Sequence, residues 1–377
     1  MKVLYDYQIF DAQRVGGISR YFAMLATGND QSILGLRYTS NLYLLHADFE
    51  GIEGWPKKDI VEKLLGAARF PGASRLGGVY RRLAKREETG NRQQSLQRLS
   101  EAAFDVFHPT YYDPYFLDAL GDKPFVLTVH DMIHELYPEL YGLDDQVRSW
   151  KRQLISKAAA IIAVSENTKK DLQAVYGVEN SRISVIGHGS ELKKTGKRQI
   201  LVEGSYILFT GARGGYKNFY FALEAIAPLL LQPVGPSLVC IGSAFSGEER
   251  KLFIELGVID RVIHIGADES DIYDLYAGAL FLLFPSYYEG FGMPILEAFE
   301  AGCPVLLADS SCFPEIAGDA GLYFPPKDCA SLLAAATELT RSPSLRTELA
   351  DKGRERGKAF SWKRCRDLTR ECYRGVV

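Results

Sequence analysis

Short apolar runs alternate with longer stretches of helical periodicity along most of the 377-residue chain, the rhythm of parallel strands joined by crossover helices. In the first half, Val3 to Tyr5 predicts a strand that leads through a turn at Gly16 and Gly17 into a helix from about Ser19. Val106 to His108, Phe125 to Val129 and Ala160 to Val164 predict further strands, and Ile183 to Ile186 a short one. After Val164, Ser165 can cap a helix running through Thr168, Lys170 and Leu172, and Gly177 can end it. From Glu191 to Glu203 the apolar pattern lapses and Lys193, Lys194, Lys197 and Arg198 cluster, the mark of a linker. A fresh series opens at Tyr206 to Phe209 and continues through Leu238 to Ile241, Val262 to Ile265, Leu280 to Phe284 and Pro304 to Ala308. The economical account is an α/β protein of two doubly wound, parallel-sheet domains in tandem. No apolar run approaches the ~20 residues that span a bilayer, and no short period repeats.

Composition changes this picture little. Lys and Arg total 44 against 47 Asp and Glu, a net charge of −3, which lacks the basic excess of a dedicated nucleic-acid binder. The start, MKVLYDYQIF, runs directly into a strand pattern without a signal-peptide layout. Cys240, Cys303, Cys312, Cys329, Cys365 and Cys372 are scattered and include no Cys-x-x-Cys pair, as expected of free thiols in a reducing compartment rather than a zinc framework. A cytoplasmic enzyme or binding protein is what these features leave. One region stands apart. Residues 69–98 carry eight Arg and Lys against Glu87 and Glu88, with Leu76, Val79, Tyr80 and Leu83 on one helical face. Docking on an anionic membrane surface and a solvated loop are both open readings of it.

Three stretches carry chemistry. In Ser286-Tyr-Tyr-Glu-Gly-Phe-Gly-Met-Pro-Ile-Leu-Glu297, Gly290 and Gly292 precede a helix start at Pro294. Free N–H groups and the positive dipole end suit such a place to oxygen-rich, anionic groups. Glu289 and Glu297, eight residues apart, suit the hydroxyls of a diol, since an ionised carboxylate only accepts. Alone, each glutamate would read as a loop or helix charge. In Gly211-Ala-Arg-Gly-Gly-Tyr-Lys217, Arg213 and Lys217 bracket a double glycine between a predicted strand and helix, so that two cations can converge on a diphosphate. His130 sits at the carboxyl end of a strand, where open α/β sheets bind ligands. Asp131 and His134 nearby raise a metal as an alternative, but no further ligand cluster supports one. No Asp-x-Asp pair occurs to hold a divalent ion on a diphosphate, so positive charge has to come from side chains and a helix end.

The run E-G-F-G-M-P-I-L-E-A-F-E-A-G-C-P-V, with its Glu289-x₇-Glu297 spacing, resembles the signature of retaining family 4 glycosyltransferases of the GT-B fold. So do T-V-H-D-M-I-H-E, V-S-E-N-T-K-K-D-L, G-A-R-G-G-Y-K-N-F, D-L-Y-A-G-A-L, F-P-E-I-A-G-D-A-G and F-S-W-K-R, in family order from about residue 105 onward. Gly16-Gly17-Ile-Ser-Arg-Tyr resembles the family's N-terminal glycine loop, and residues 30–100 match nothing. The resemblance implies two Rossmann-like domains facing across a cleft: an acceptor-side domain over 1–190, a donor domain over 200–359, and a last helix at 360–377 crossing back onto the first. It implies Arg213 and Lys217 on the donor diphosphate, Glu297 on the ribose diol and Glu289 on a sugar hydroxyl. Backbone N–H groups around Gly290, Phe291 and Gly292 would meet phosphate or sugar, with His130 near the reacting face and Gly16 and Gly17 on the acceptor side. The four-residue Arg213–Lys217 spacing is shorter than in many relatives. The function implied is metal-independent transfer of a hexose, with a lean to mannose or a related 6-deoxyhexose from a GDP-sugar. The acceptor would be a saccharide or a polyprenyl-linked one, in lipopolysaccharide O-antigen or capsule synthesis at the inner face of the membrane, with no bound cofactor. A UDP-sugar transferase and a nucleotide-sugar 2-epimerase are the alternatives, and a non-catalytic sugar-binding protein is a third.

Overall fold

The computed structural model describes residues 1–28, 31–47, 49, 52–54, 90–142, 145–192, 202–266 and 269–377. The strands of the first half are β1 (Val3–Tyr5), β2 (Ser32–Leu34), β3 (Tyr38–Thr39), β4 (Glu53–Gly54), β5 (Val106–His108), β6 (Val126–Val129), β7 (Ala160–Ala163) and β8 (Ile183–Val185). They form parallel sheets of order β2-β1-β5 and β6-β7-β8, joined edge to edge by a single bridge between Phe107 and Phe125, with β3 and β4 as a separate pair. Both residue faces of β1, β5 and β6 are buried, which is why their sequence reads as unbroken apolar runs rather than alternation.

The second half contributes β9 (Tyr206–Thr210), β10 (Ser237–Ile241), β11 (Val262–Ile265), β12 (Leu282–Phe284), β13 (Val305–Ala308) and β14 (Gly321–Phe324). They build one six-stranded parallel sheet of order β11-β10-β9-β12-β13-β14. The order reverses between β9 and β12, and open α/β sheets bind ligands at the carboxyl ends of the strands flanking such a reversal. The loops that leave β9 and β12 there are 211–218 and 285–292, the two stretches richest in candidate chemistry. The Ser165 hydroxyl accepts from the Thr168 N–H at the start of the Glu166–Tyr176 helix, and Gly177 ends that helix at φ +64°.

β2 and β14 went unread in the sequence. Each lies at a sheet edge, three or four residues long and only partly buried, so neither leaves a strong hydrophobic signature. Residues 193–201, with the linker cations Lys193, Lys194, Lys197 and Arg198, lie outside the described residues. So does 69–89 of the basic segment; its remainder lies in a helix over residues 90–101. There Asn91 is buried, its Oδ1 accepting from the N–H groups of Arg37 and Tyr38. No described helix is long and apolar enough to cross a membrane.

The Trp362–Arg374 helix lies against the first half of the chain. Trp362, Cys365 and Tyr373 are buried in one cluster with Val3, Tyr5, Tyr21 and Phe22. The Tyr373 hydroxyl lies 3.1 Å from the Tyr5 hydroxyl and 2.6 Å from His108 Nδ1. A second tie between the halves is Glu315, whose carboxylate accepts from the N–H groups of Glu166 and Asn167 at the start of the Glu166–Tyr176 helix.

Candidate functional site

The loop after β12 is fastened from both sides. The Ser311 hydroxyl donates to the Glu289 carbonyl at 2.6 Å and accepts from the Glu289 N–H at 3.2 Å. Ser311 holds a left-handed backbone, φ +52°, to do so, a strained conformation of the kind that concentrates at functional sites. From the other side, the Tyr288 hydroxyl accepts from the Met132 N–H and donates to Asp171 Oδ2 at 2.6 Å. A Cβ on Gly290 would stand 1.5 Å from the His130 carbonyl oxygen, so only glycine allows the loop this close to the first sheet. Gly292, at φ +88°, then caps the Met293–Ala301 helix. The N–H groups of Phe291 and Gly292 donate to no acceptor among the described residues. Gly17 opens the opposing Gly17–Thr27 helix, and a Cβ there would lie 3.4 Å from Met293 Sδ. Two helix starts thus meet, each with unpaired N–H groups and a positive pole. Gly16, the N-cap of that helix, packs on Gln13, which accepts the Ser19 N–H.

The charged residues pair off. Lys217 Nζ donates to Glu289 Oε1 at 2.6 Å, both side chains mostly buried. Arg213 does not converge with Lys217. Its Nε and Nη2 grip the Glu249 carboxylate at 2.5 and 3.3 Å, and its guanidinium stacks 4.9 Å over the Phe245 ring. Only the buried Nη1 is without a partner among the described residues. The double glycine separates the two cations because Gly215 takes φ +57° and a single 3₁₀ turn, Gly215–Lys217, swings Lys217 toward the β12 loop. Glu297 is the fifth residue of its helix and faces Arg20 and Tyr276.

His130 closes the site from the first sheet. It follows β6, and its ring is edge-on to Tyr21 and Phe22 and parallel to His188 at 6.0 Å. Its Nε2 is buried with no partner among the described residues. Burial, then the neighbouring His188, holds the His130 imidazole well below the usual histidine range, so the ring is neutral at pH 7. Thus Lys217, Glu289, Gly290, Phe291, Gly292 and His130 come together at the reversal point, with Gly17 against the same helix start. Glu297 stands one turn on, and Arg213 on the far side of the β9 loop. Sequence reading missed Arg20, Glu249, Tyr276, His188 and Ser311. The Ser246-to-Glu249 capping-box spacing was the one signal available for Glu249.

Residues 191–356 match the family described as Glycosyl transferases group 1, and residues 68–194 match Glycosyltransferase Family 4. An O-antigen chain mannosyltransferase of Escherichia coli is 29% identical over 71% of this chain and 74% of its own length. A second O-antigen chain mannosyltransferase, from Salmonella typhimurium, is 25% identical over 58% of this chain and 61% of its own, so this chain spans about three fifths of that relative. The Anabaena protein HepE, solved in complex with UDP-glucose, superposes over the whole of both chains with a TM-score of 0.75 at 18% identity; that likeness establishes the fold.

Proposed function

We propose, for a chain that belongs to the family 4 and group 1 glycosyltransferases and has the GT-B fold, that it transfers a hexose from a nucleotide-sugar donor with retention and without a divalent ion. The donor is mannose or a related 6-deoxyhexose carried on GDP. The acceptor is a saccharide or lipid-linked saccharide of cell-surface polysaccharide. The observation that carries the reading is the Lys217–Glu289 pair, 2.6 Å apart, set between the Met293–Ala301 helix start and the neutral His130. As the donor enters, Lys217 exchanges its carboxylate partner for a phosphate oxygen. Glu289, released, accepts from a sugar hydroxyl.

Departure of the nucleoside diphosphate concentrates negative charge on the phosphates. Lys217 and the N–H groups of Phe291 and Gly292 are already in place for it, a form of stabilisation worth several kcal/mol when desolvated. Arg213 has one N–H corner, Nη1, left to contribute. His130 is uncharged, and because burial lowers its basicity it can accept a hydrogen bond from the sugar without competing with the leaving group for a proton. The mannose assignment is supported by the two O-antigen mannosyltransferases. The UDP-glucose held by HepE favours a UDP-sugar as the second reading.

Thermal melts with GDP, UDP, dTDP and ADP, all in EDTA, test both. A diphosphate at 100 times its Kd adds about 2.7 kcal/mol of stability, and the GDP reading expects GDP alone to do so at the lowest concentration. GDP-mannose consumption that requires an added saccharide acceptor marks a transferase. Isomerisation of the nucleotide sugar with no acceptor marks an epimerase and overturns the proposal.

A further inference from the structure

Glu297 does not face the cleft alone. Arg20 Nη1 donates to its Oε1 at 2.8 Å, and the Tyr276 hydroxyl to its Oε2 at 2.9 Å. The second Arg20 amino group donates to the Glu191 carbonyl. The backbone explains the meeting. Met293 Sδ lies where a Cβ on Gly17 would come within 3.4 Å of it, so the two helix starts stand close, and Arg20 and Glu297 each lie one turn further along. Side-chain exposures of 11% and 16% mark the pair as largely desolvated. A 260 Å³ cavity lined in part by Arg20, Met24, Tyr43, His46, Ile272 and Glu297 opens beside it.

We infer that Arg20 is a positioning residue for the donor's ribose, acting across the cleft to orient Glu297 for the 2′- and 3′-hydroxyls. The inference rests on the nucleotide-sugar reading above. A carboxylate oxygen has two lone-pair directions, so with one direction on each oxygen taken by Arg20 and Tyr276, the other two remain for a diol. Only the ionised carboxylate can accept both hydroxyls; a protonated one presents a donor where an acceptor is needed. Burial favours the protonated form of Glu297 and pushes its pKa up, and Arg20 is the largest opposing influence. The other groups around the pair are Tyr276, whose hydrogen bond also favours the carboxylate; Glu300 on the same helix, which opposes it; Glu191, whose carbonyl accepts from Arg20; His188, depressed by burial and then by Arg20; and His46 in the cavity wall. The forked guanidinium reaches the Glu191 carbonyl and Glu297 together, whereas an ammonium keeps the charge beside Glu297 but, as a single point, not the second anchor.

The test is calorimetric binding of GDP and UDP, each against its 2′-deoxy form, from pH 6 to 8.5. It compares the native chain with Arg20→Gln, Arg20→Lys, Glu297→Gln and the Arg20→Gln/Glu297→Gln double variant, all checked for folding by thermal melt. The native chain is expected to prefer the ribonucleotide at least tenfold across this range. Arg20→Gln should lose that preference at pH 6 and regain it as rising pH ionises Glu297. Arg20→Lys should retain most of it. In the Glu297→Gln background, Arg20→Gln should change affinity less than twofold, and in turnover assays Arg20→Gln should raise donor KM with little change in kcat. Native preference and a native pH profile in Arg20→Gln overturn the inference while leaving the donor reading intact; should that variant not fold, a Glu297→Gln chain that keeps the ribose preference does the same. A native chain that binds no nucleotide overturns both.

Discussion

Glu289 and Lys217 reduce the chemistry of the site to one pair of opposite charges 2.6 Å apart, so removing either has a distinct consequence. Glu289→Ala is expected to cut kcat on the order of 10²–10³-fold, the scale of a lost transition-state contact, with nucleoside diphosphate affinity nearly kept. Lys217→Ala should lower both affinity and turnover, because it also strands Glu289 beside the phosphates. Steady-state kinetics with diphosphate binding separate the two, and native rates in both variants would remove the pair from the mechanism. Beneath His130, His108 and His188 are buried and pushed down to about 3 by desolvation. Their protonated forms are therefore favoured only when unfolded, and each histidine costs stability as pH falls from about 6.5 toward 3. Asp6 and Glu297, raised by burial, act in the opposite sense, so the histidine effect is best isolated by difference. Urea unfolding of the native chain and His108→Asn should diverge by up to ~1.4 kcal/mol per pH unit below 6.5, and parallel pH curves would contradict it. Among single residues, Lys217 was legible as a cation in a glycine-rich loop after a strand and before a helix, a pattern that suits a phosphate. Arg213 carries the same local signal, but its partner Glu249 lies 36 residues away and captures it. Arg20 lies in the Gly16–Tyr21 run that resembles the family's glycine loop, but nothing local pointed to Glu297, 277 residues away.

The elements were more legible than the side chains. Strands such as β5, β6 and β13 are buried on every residue and advertise themselves as apolar runs; the partly exposed edge strands β2 and β14 do not. Glycines were legible as loops, yet what each one permits depends on its neighbour across the cleft. Gly292 needs its positive φ to start a helix, whereas Gly290 needs only the missing Cβ. Gly290→Ala therefore tests the junction between the two sheets. With a methyl group 1.5 Å from the His130 carbonyl, the loop or His130 has to move, and a displacement near 1 Å in a preorganised site costs on the order of 100-fold in rate. The expected result is a folded protein with kcat reduced about that much and with the Tyr288–Met132 contact loosened, seen as faster amide exchange at Met132. Native kcat in Gly290→Ala would mean that the loop and His130 need not be in register.

At the scale of the whole molecule, the two sheets differ in how they are completed. The six-stranded sheet closes its core with its own helices, Phe219–Leu230 and Cys329–Arg341 among them. The first sheet draws Trp362, Cys365 and Tyr373 from the far end of the chain. Tyr373 is also the hydrogen-bond partner of His108 Nδ1, and Thr128 is the partner of Nε2, which lies 2.9 Å from its hydroxyl. Ending the chain after Phe360 thus uncovers the aromatic cluster that Trp362 and Tyr373 complete and takes away the partner of His108 Nδ1. A large aromatic lost from a core costs roughly 3–5 kcal/mol. That is a large share of the 5–15 kcal/mol that holds a typical domain together. The loss should fall on one half of the molecule only. In native-state hydrogen exchange, the truncated chain is expected to lose protection in β1, β5 and β6 while β9, β10, β12 and β13 exchange as in the full chain. Tyr373→Phe, which keeps the ring and removes only the hydroxyl, should reproduce a smaller part of the same pattern. Equal loss in both sheets would mean that the last helix stabilises the cleft as one unit rather than the first sheet alone.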